Sequence, residues 1–193
     1  MAAGAGGGAM TGPRVIATFD TPGSLNMAGI GNWGPGGNPP IADTVVSRNA
    51  TEGFSCAGAA ELRVPFTAYG TQQDVQINFN PLQNWTGYTI LHAKVKIVMP
   101  STGNLNHING VQLAANSKPD YSTFQGHFYG ASTFADFGWH DVDLPMPGSG
   151  AMALALDQVI QITVQLVTPM TAPAAGPAAP VTTTMLVDDV WIQ

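Results

Sequence analysis

An all-β chain, an antiparallel β-sandwich of the jelly-roll kind with about ten strands, is the fold class this sequence predicts. Three observations carry the expectation. Apolar and polar residues alternate with a period of two in one segment after another, as half-buried strands require. The segments are short and are separated by clusters of Gly, Pro, Asn and Ser, in a chain with 23 Gly and 15 Pro. No helix of normal length competes: the best candidate, residues 151–158, is short, and the long amphipathic connectors of a βαβ fold are missing.

The elements follow in order. A first strand at 15–19 ends in Phe19-Asp20, and a Gly/Pro loop at 22–40 surrounds Trp33. Strands are expected at 44–47 and 60–64, then at 75–79, where Val75, Ile77 and Phe79 alternate with Gln76 and Asn78. At 91–98, Leu91, Ala93, Val95 and Ile97 alternate with His92, Lys94 and Lys96. Further strands read at 110–115, 124–129, 140–144, 159–166 and 183–192. A Pro/Ala loop at 169–180 lies between two strong strands and reads as a hairpin insertion. Residues 14–193 are therefore expected to form one domain, and 1–13 a linker or an appended segment. That segment has neither the charged start nor the apolar run of a signal peptide.

Composition excludes several classes. Twelve acidic against six basic residues give a net charge of −6, which disfavours nucleic acid. No apolar run approaches the roughly 20 residues of a membrane-spanning helix. Only 9% of residues are charged, against about 25% in an average globular protein. One cysteine, Cys56, can form neither an internal disulfide nor a zinc cluster, and a buried, inert thiol is expected.

Catalytic constellations are weak. Asp141 and Asp143 share one strand face, but paired acids at that spacing are usually strand-edge solvation. Gly53-Phe54-Ser55-Cys56-Ala57 leads into a strand, whereas a nucleophile elbow leads into a helix. The four histidines are scattered. The last strand is more informative. In Val187-Asp188-Asp189-Val190, one Asp must stand among apolar neighbours, where a carboxylate needs a partner, a proton or a metal. Cations are scarce in this chain, so Ca²⁺ held by carboxylates and carbonyls is a candidate. Asp20 is its natural second carboxylate if the terminal strands are neighbours.

Aromatic rings among amides give the other signal, since sugars offer CH faces to rings and hydroxyls to polar side chains. Tyr121, Gln125, His127 and Tyr129 lie close in sequence, as do Tyr69, Gln73 and Asp74. Alternation puts Gln125, His127 and Tyr129 on one face, opposite Phe124 and Phe128. Gln112 stands between core-facing Val111 and Leu113.

In the order of its motifs the chain resembles the jelly-roll carbohydrate-binding modules of secreted polysaccharide-degrading enzymes. The motifs are Phe19-Asp20, a Gly-rich turn leading into Glu61-Leu62-x-Val64, Trp85-x-Gly87-Tyr88-x-x-Leu91, Trp139-x-x-Val142-x-Leu144, and Val187-Asp188-Asp189-Val190. The resemblance covers roughly 14–193. It implies two packed antiparallel sheets, a structural Ca²⁺ on Asp20 and Asp188 with backbone carbonyls, and a concave face that grips a glycan. It also implies structural packing for Trp85 and Trp139.

The expected function is non-catalytic binding of a plant or cell-wall polysaccharide or oligosaccharide, by a monomeric module of a larger secreted or cell-surface protein, not inserted in the membrane. Tyr69, Tyr121 and Tyr129 would stack on sugar rings, and Gln73, Asp74, Gln112, Gln125 and His127 would supply polar contacts. The alternatives are a cell-surface sandwich that binds protein, and a jelly-roll glycosidase or lyase. Asn49 and Asn84 begin N-x-T sequons, acceptors only in a eukaryotic secretory pathway.

Overall fold

The structure, a computed structural model, describes residues 12–31, 41–118, 122–150, 153–177 and 179–193. Among them are eleven strands: β1 (Arg14–Ala17), β2 (Ala28–Gly31), β3 (Val45–Asn49), β4 (Ala59–Pro65), β5 (Gln72–Gln83), β6 (Ile90–Val98), β7 (Gly110–Ser117), β8 (Thr123–Gly130), β9 (Trp139–Pro145), β10 (Val159–Val167) and β11 (Thr182–Ile192). The ten expected strands are all present. The addition is β2, whose sequence Ala-Gly-Ile-Gly carries no alternation and lies in the segment read as loop. Residues 153–158 contain no helix. Trp33 and Tyr121 lie outside the described residues.

Two antiparallel sheets face each other. One has the order β3-β4-β11-β6-β9, with β1 also pairing with β11; the other has the order β2-β5-β10-β7-β8. The pleat sends alternate residues inward. Leu62, Leu91, Val95, Val142, Met185 and Val187 from the first sheet meet Val75, Ile77, Val111, Leu113, Ile162 and Val164 from the second, all nearly inaccessible to solvent. Trp85 is fully buried and meets Phe79 edge-on at 5.9 Å, the structural packing expected of it.

The chain ends meet at β11. Its pairing with β4 stops at Val187 and its pairing with β1 begins at Val190. Asp188 and Asp189 fall between, at a bulge in the ladder with β6, and Asp189 has φ of 40°. The β3–β4 loop folds onto this gap. Phe54 N–H donates to Asp188 Oδ2 at 2.8 Å, and Ser55 Oγ to Asp189 Oδ1 at 3.0 Å. Arg48 of β3 holds the corner together. It donates to the carbonyls of Phe19 (2.6 Å), Asp20 and Ala57 (2.7 Å). Gly58 is required here, because a Cβ would fall 2.4 Å from Phe19 O and 2.7 Å from Arg48 Nη2. The same loop turns Cys56 outward. The thiol is exposed, and the expectation of a buried one is corrected.

Hydrogen bonds from a charged group are each worth about 1.5–3 kcal/mol. Arg48→Met, which keeps the aliphatic length and removes every donor, is expected to cost at least about 3 kcal/mol in urea unfolding. A loss under about 1 kcal/mol would show that the guanidinium is not what ties β1, β3 and the β3–β4 loop.

Candidate functional site: the outer face of the five-stranded sheet

Register determines which side chains leave the core. Across β5, β10, β7 and β8 three rows of outward positions follow one another, beyond an end row of Gln72, Val167, Gly110 and Gly130. The first is Asp74, Gln165, Gln112 and Phe128; the second is Gln76, Thr163, Ala114 and Gly126; the third is Asn78, Gln161, Asn116 and Phe124. Successive rows lie about 7 Å apart, two residues along each strand. On β2 the positions beside Asp74 and Gln76 are Gly31 and Gly29, which project nothing. The three rows thus carry neutral amides, one hydroxyl, one methyl group, two phenyl rings and a single acid.

The third row is a hydrogen-bonded chain. Asn116 Nδ2 donates to Gln161 Oε1 at 2.9 Å, and Gln161 Nε2 donates to Asn78 Oδ1 at 2.7 Å. Thr163 Oγ1 adds a bond to Gln161 Oε1 at 3.2 Å. Two buried acceptors on the face have no donor, Asn116 Oδ1 and Asp74 Oδ1. Phe128 is 42% exposed at the β8 edge. Gly126 lies between the phenyl rings, and a Cβ there would fall 2.8 Å from the Phe124 ring and 2.9 Å from Gln112 Nε2, so both side chains would have to shift.

Asp74 and Gln112 are the sequence-predicted residues that this face brings together. Gln125, His127 and Tyr129 are not on it. They pair with Ala115, Leu113 and Val111 and so face inward, which corrects the expected face of β8. The reason is that β8 is an edge strand. Its inner side lies past the centre of the core, against β9 of the other sheet. There Tyr129 Oη donates to Asp143 O at 2.9 Å and accepts from Asp143 N at 2.7 Å, while His127 Nδ1 donates to Asp143 O at 2.9 Å. Gln125 packs against Gly148. Gln73 also faces inward, accepting Ile41 N–H at 2.9 Å. Tyr69 sits in the β4–β5 loop and donates to Pro177 O at 2.7 Å. Sequence reasoning missed Gln76, Asn78, Asn116, Phe124, Phe128, Gln161, Thr163 and Gln165. The alternation of β10 was itself enough to find Gln161, Thr163 and Gln165.

Acids elsewhere are engaged. Asp141 pairs with Lys94 at 2.7 Å and Asp143 with His92 at 2.6 Å, on the outer face of the other sheet. At the β11 corner, Asp20 Oδ1 and Asp188 Oδ1 are buried without a donor. Burial pushes the Asp188 carboxyl up, against hydrogen bonds from the Phe54, Asp189 and Phe19 backbone. Two unpartnered carboxylate oxygens at one corner suit Ca²⁺. Three carbonyls of that corner are already bound by Arg48, so water would have to supply much of the shell.

Asp74 is fully buried and accepts a hydrogen bond from Gln76 Nε2 at 3.2 Å. Burial raises its carboxyl from 3.8 to about 6. A raised folded-state value means that the folded protein holds the proton over a range where the unfolded chain has lost it, so stability falls as pH rises from about 4 to about 6. The full effect corresponds to about 3 kcal/mol. Asp74→Asn is accordingly expected to raise Tm at pH 7.5, with the gain shrinking towards pH 4. A variant less stable than the parent at pH 7.5 would contradict this account.

No protein-family model and no curated sequence matches the chain. Solved structures do match in fold. One, from work on the promiscuous specificity of β-sandwich carbohydrate-binding modules, is 14% identical with a TM-score of 0.62, over 91% of this chain and 61% of that one. Another is the family 11 carbohydrate-binding module of a Clostridium thermocellum cellulosomal cellulase, 14% identical with a TM-score of 0.58, over 94% of both chains. A third is an agarase, 9% identical with a TM-score of 0.59, in which 95% of this chain corresponds to 24% of the enzyme. This chain thus spans less than two thirds of the first of these structures and nearly all of the second. The fold is that of the β-sandwich carbohydrate-binding modules.

Proposed function

We propose that the protein is a non-catalytic carbohydrate-binding module whose ligand lies across the outer face of the five-stranded sheet. The observation that carries the reading is the composition of that face. Amides at three levels and the exposed Phe128 ring complement hydroxyls and CH faces together. Glycoside hydrolysis needs two carboxyl groups about 5–10 Å apart; among the described residues this face projects one. The likeness to modules of polysaccharide-degrading enzymes supports work outside the cell, as a monomeric part of a larger protein.

Affinity electrophoresis against neutral β-glucans, mannans and xylans is expected to retard the protein in at least one gel. Phe128→Ala should weaken that retardation about fivefold or more, as stacking contributions of about 1 kcal/mol imply, and leave Tm within about 2 °C. Unchanged mobility across the whole panel would overturn the reading.

A structural Ca²⁺ on Asp20 and Asp188 belongs to the same proposal, bracing the terminal strands away from the ligand. Chelator is expected to lower Tm by several degrees, with recovery on adding Ca²⁺ and not Mg²⁺. If chelation has no effect and no metal co-purifies, Arg48 alone braces the corner.

A further inference from the structure

The outer face of the six-stranded sheet carries a pocket of about 280 Å³ between Val15, Phe54, Lys94, Asp189, Val190 and Trp191. Register and loop build it together. Val15 on β1 pairs with Trp191 on β11, and Trp191 with His92 on β6, so these side chains stand in one outward row. Asp189 sits at the bulge of β11, and the β3–β4 loop brings Phe54 over Lys94. Val15 is 65% and Phe54 46% exposed. Trp191 is held by stacking on His92, with 4.7 Å between ring centres and 11° between planes. The volume is just below the roughly 300–1,000 Å³ of sites for drug-sized ligands, which suits one ring or a short chain.

One side of this pocket already receives a cation. Lys94 Nζ lies 4.0 Å from the centre of the Phe54 ring and 2.7 Å from Asp141 Oδ1, so a ring and a carboxylate hold the ammonium between them. Trp191 and Asp189 repeat that pair of groups on the β11 side of the same pocket, without an ammonium. Asp189 Oδ1 accepts from Ser55 Oγ at 3.0 Å, a neutral donor, and a carboxylate has room for about four donors. Among the described residues Asp189 stands in no ion pair, whereas Asp141, Asp143 and Glu52 are paired with Lys94, His92 and Lys96. An anion in the pocket would find Lys94 already taken and would meet a like charge at Asp189. A neutral ring would gain the apolar walls and leave the carboxylate unmatched.

We infer that this pocket is a second binding site, on the sheet opposite the proposed glycan face, for a small organic ammonium. The apolar ring or short chain of the ligand lies between Val15, Phe54 and Trp191, and its ammonium meets the Asp189 carboxylate beside the indole. The two faces are read from different residues, so either site stands without the other.

The test is titration of the wild-type protein at neutral pH, in excess Ca²⁺, with benzylamine, benzyl alcohol and benzoate, which share a ring and differ in charge. Binding is followed on the indole N–H resonance of Trp191, assigned by its loss in Trp191→Phe. Protonated benzylamine should bind at least about fivefold more tightly than benzyl alcohol, as a partly exposed ring–cation contact and ion pair together imply, and benzoate should bind more weakly than either. Asp189→Asn keeps the size of the side chain and the acceptor for Ser55, and Asn tolerates the φ of 40° at this position. It should bring benzylamine to within about twofold of benzyl alcohol. Asp157→Asn, in the turn before β10, removes the same charge from the molecule and should leave the preference in place. The comparison of the three probes in wild type needs no variant to fold. The inference is overturned if wild type binds the probes about equally, if the Trp191 resonance does not respond to benzylamine, if Asp189→Asn keeps the preference, or if Asp157→Asn loses it as fully. Benzylamine that binds only after Ca²⁺ is chelated would belong to the Asp20–Asp188 corner, and that result would overturn it too.

Discussion

Everything in this molecule follows from the obligation of a pleated strand to send alternate residues to opposite sides. Once Val75, Ile77, Val164, Ile162, Val111 and Leu113 are committed to the core, the residues between them have no choice of side. The three outward rows are the complement of the core written into the same strands. A shift of one residue would exchange Gln161, Thr163 and Gln165 with Ile162, Val164 and Leu166, burying amides and exposing the core. The outer face of the five-stranded sheet is therefore held by the same burial that stabilises the sandwich.

This is also why most of the fold was legible in the sequence. Where one side of a strand is uniformly apolar, as in β6 and β10, alternation gives both position and facing. β8 is different. Its two sides read Phe124-Gly126-Phe128 and Gln125-His127-Tyr129, and each mixes apolar with polar or missing side chains. Apolarity favours turning the rings inward. The structure turns them outward, because at an edge strand the inner side meets β9, whose backbone at Asp143 accepts and donates to Tyr129 and His127. Sheet order decides that outcome, and sheet order is a long-range fact that no local pattern contains. The strand β2 was missed for a related reason: Ala-Gly-Ile-Gly has almost no side chain to alternate, and its pairing comes from β5, far along the chain.

The corner at β11 solves a second problem of the same topology. Two strands share one edge of β11, and where β4 gives way to β1 the ladder leaves backbone groups and a bulge behind. Asp188 and Asp189 turn those irregularities into attachment points for the β3–β4 loop, and Arg48 gathers three carbonyls that have no strand partner. The sequence indicated an acid that needed a counterpart here. It did not indicate Arg48, which stands in a strand among ordinary polar neighbours and shows its role only when the loop is closed.

Asp188 and Asp74 are both buried acids raised by desolvation, yet the fold treats them differently. Asp188 accepts from the Phe54 N–H of the loop it anchors, at 2.8 Å, so its burial is part of the scaffold. Asp74 accepts instead from Gln76 on its own strand, at 3.2 Å, in a row whose other polar side chains are neutral. Two rows away, Asn116 and Gln161 donate along their own row, to Gln161 and Asn78. A face built only for stability would close these bonds internally. Asp74 Oδ1 and Asn116 Oδ1 are left without a donor, as Asp20 Oδ1 and Asp188 Oδ1 are at the β11 corner, so the sandwich carries incomplete polar pairing on both of its sheets.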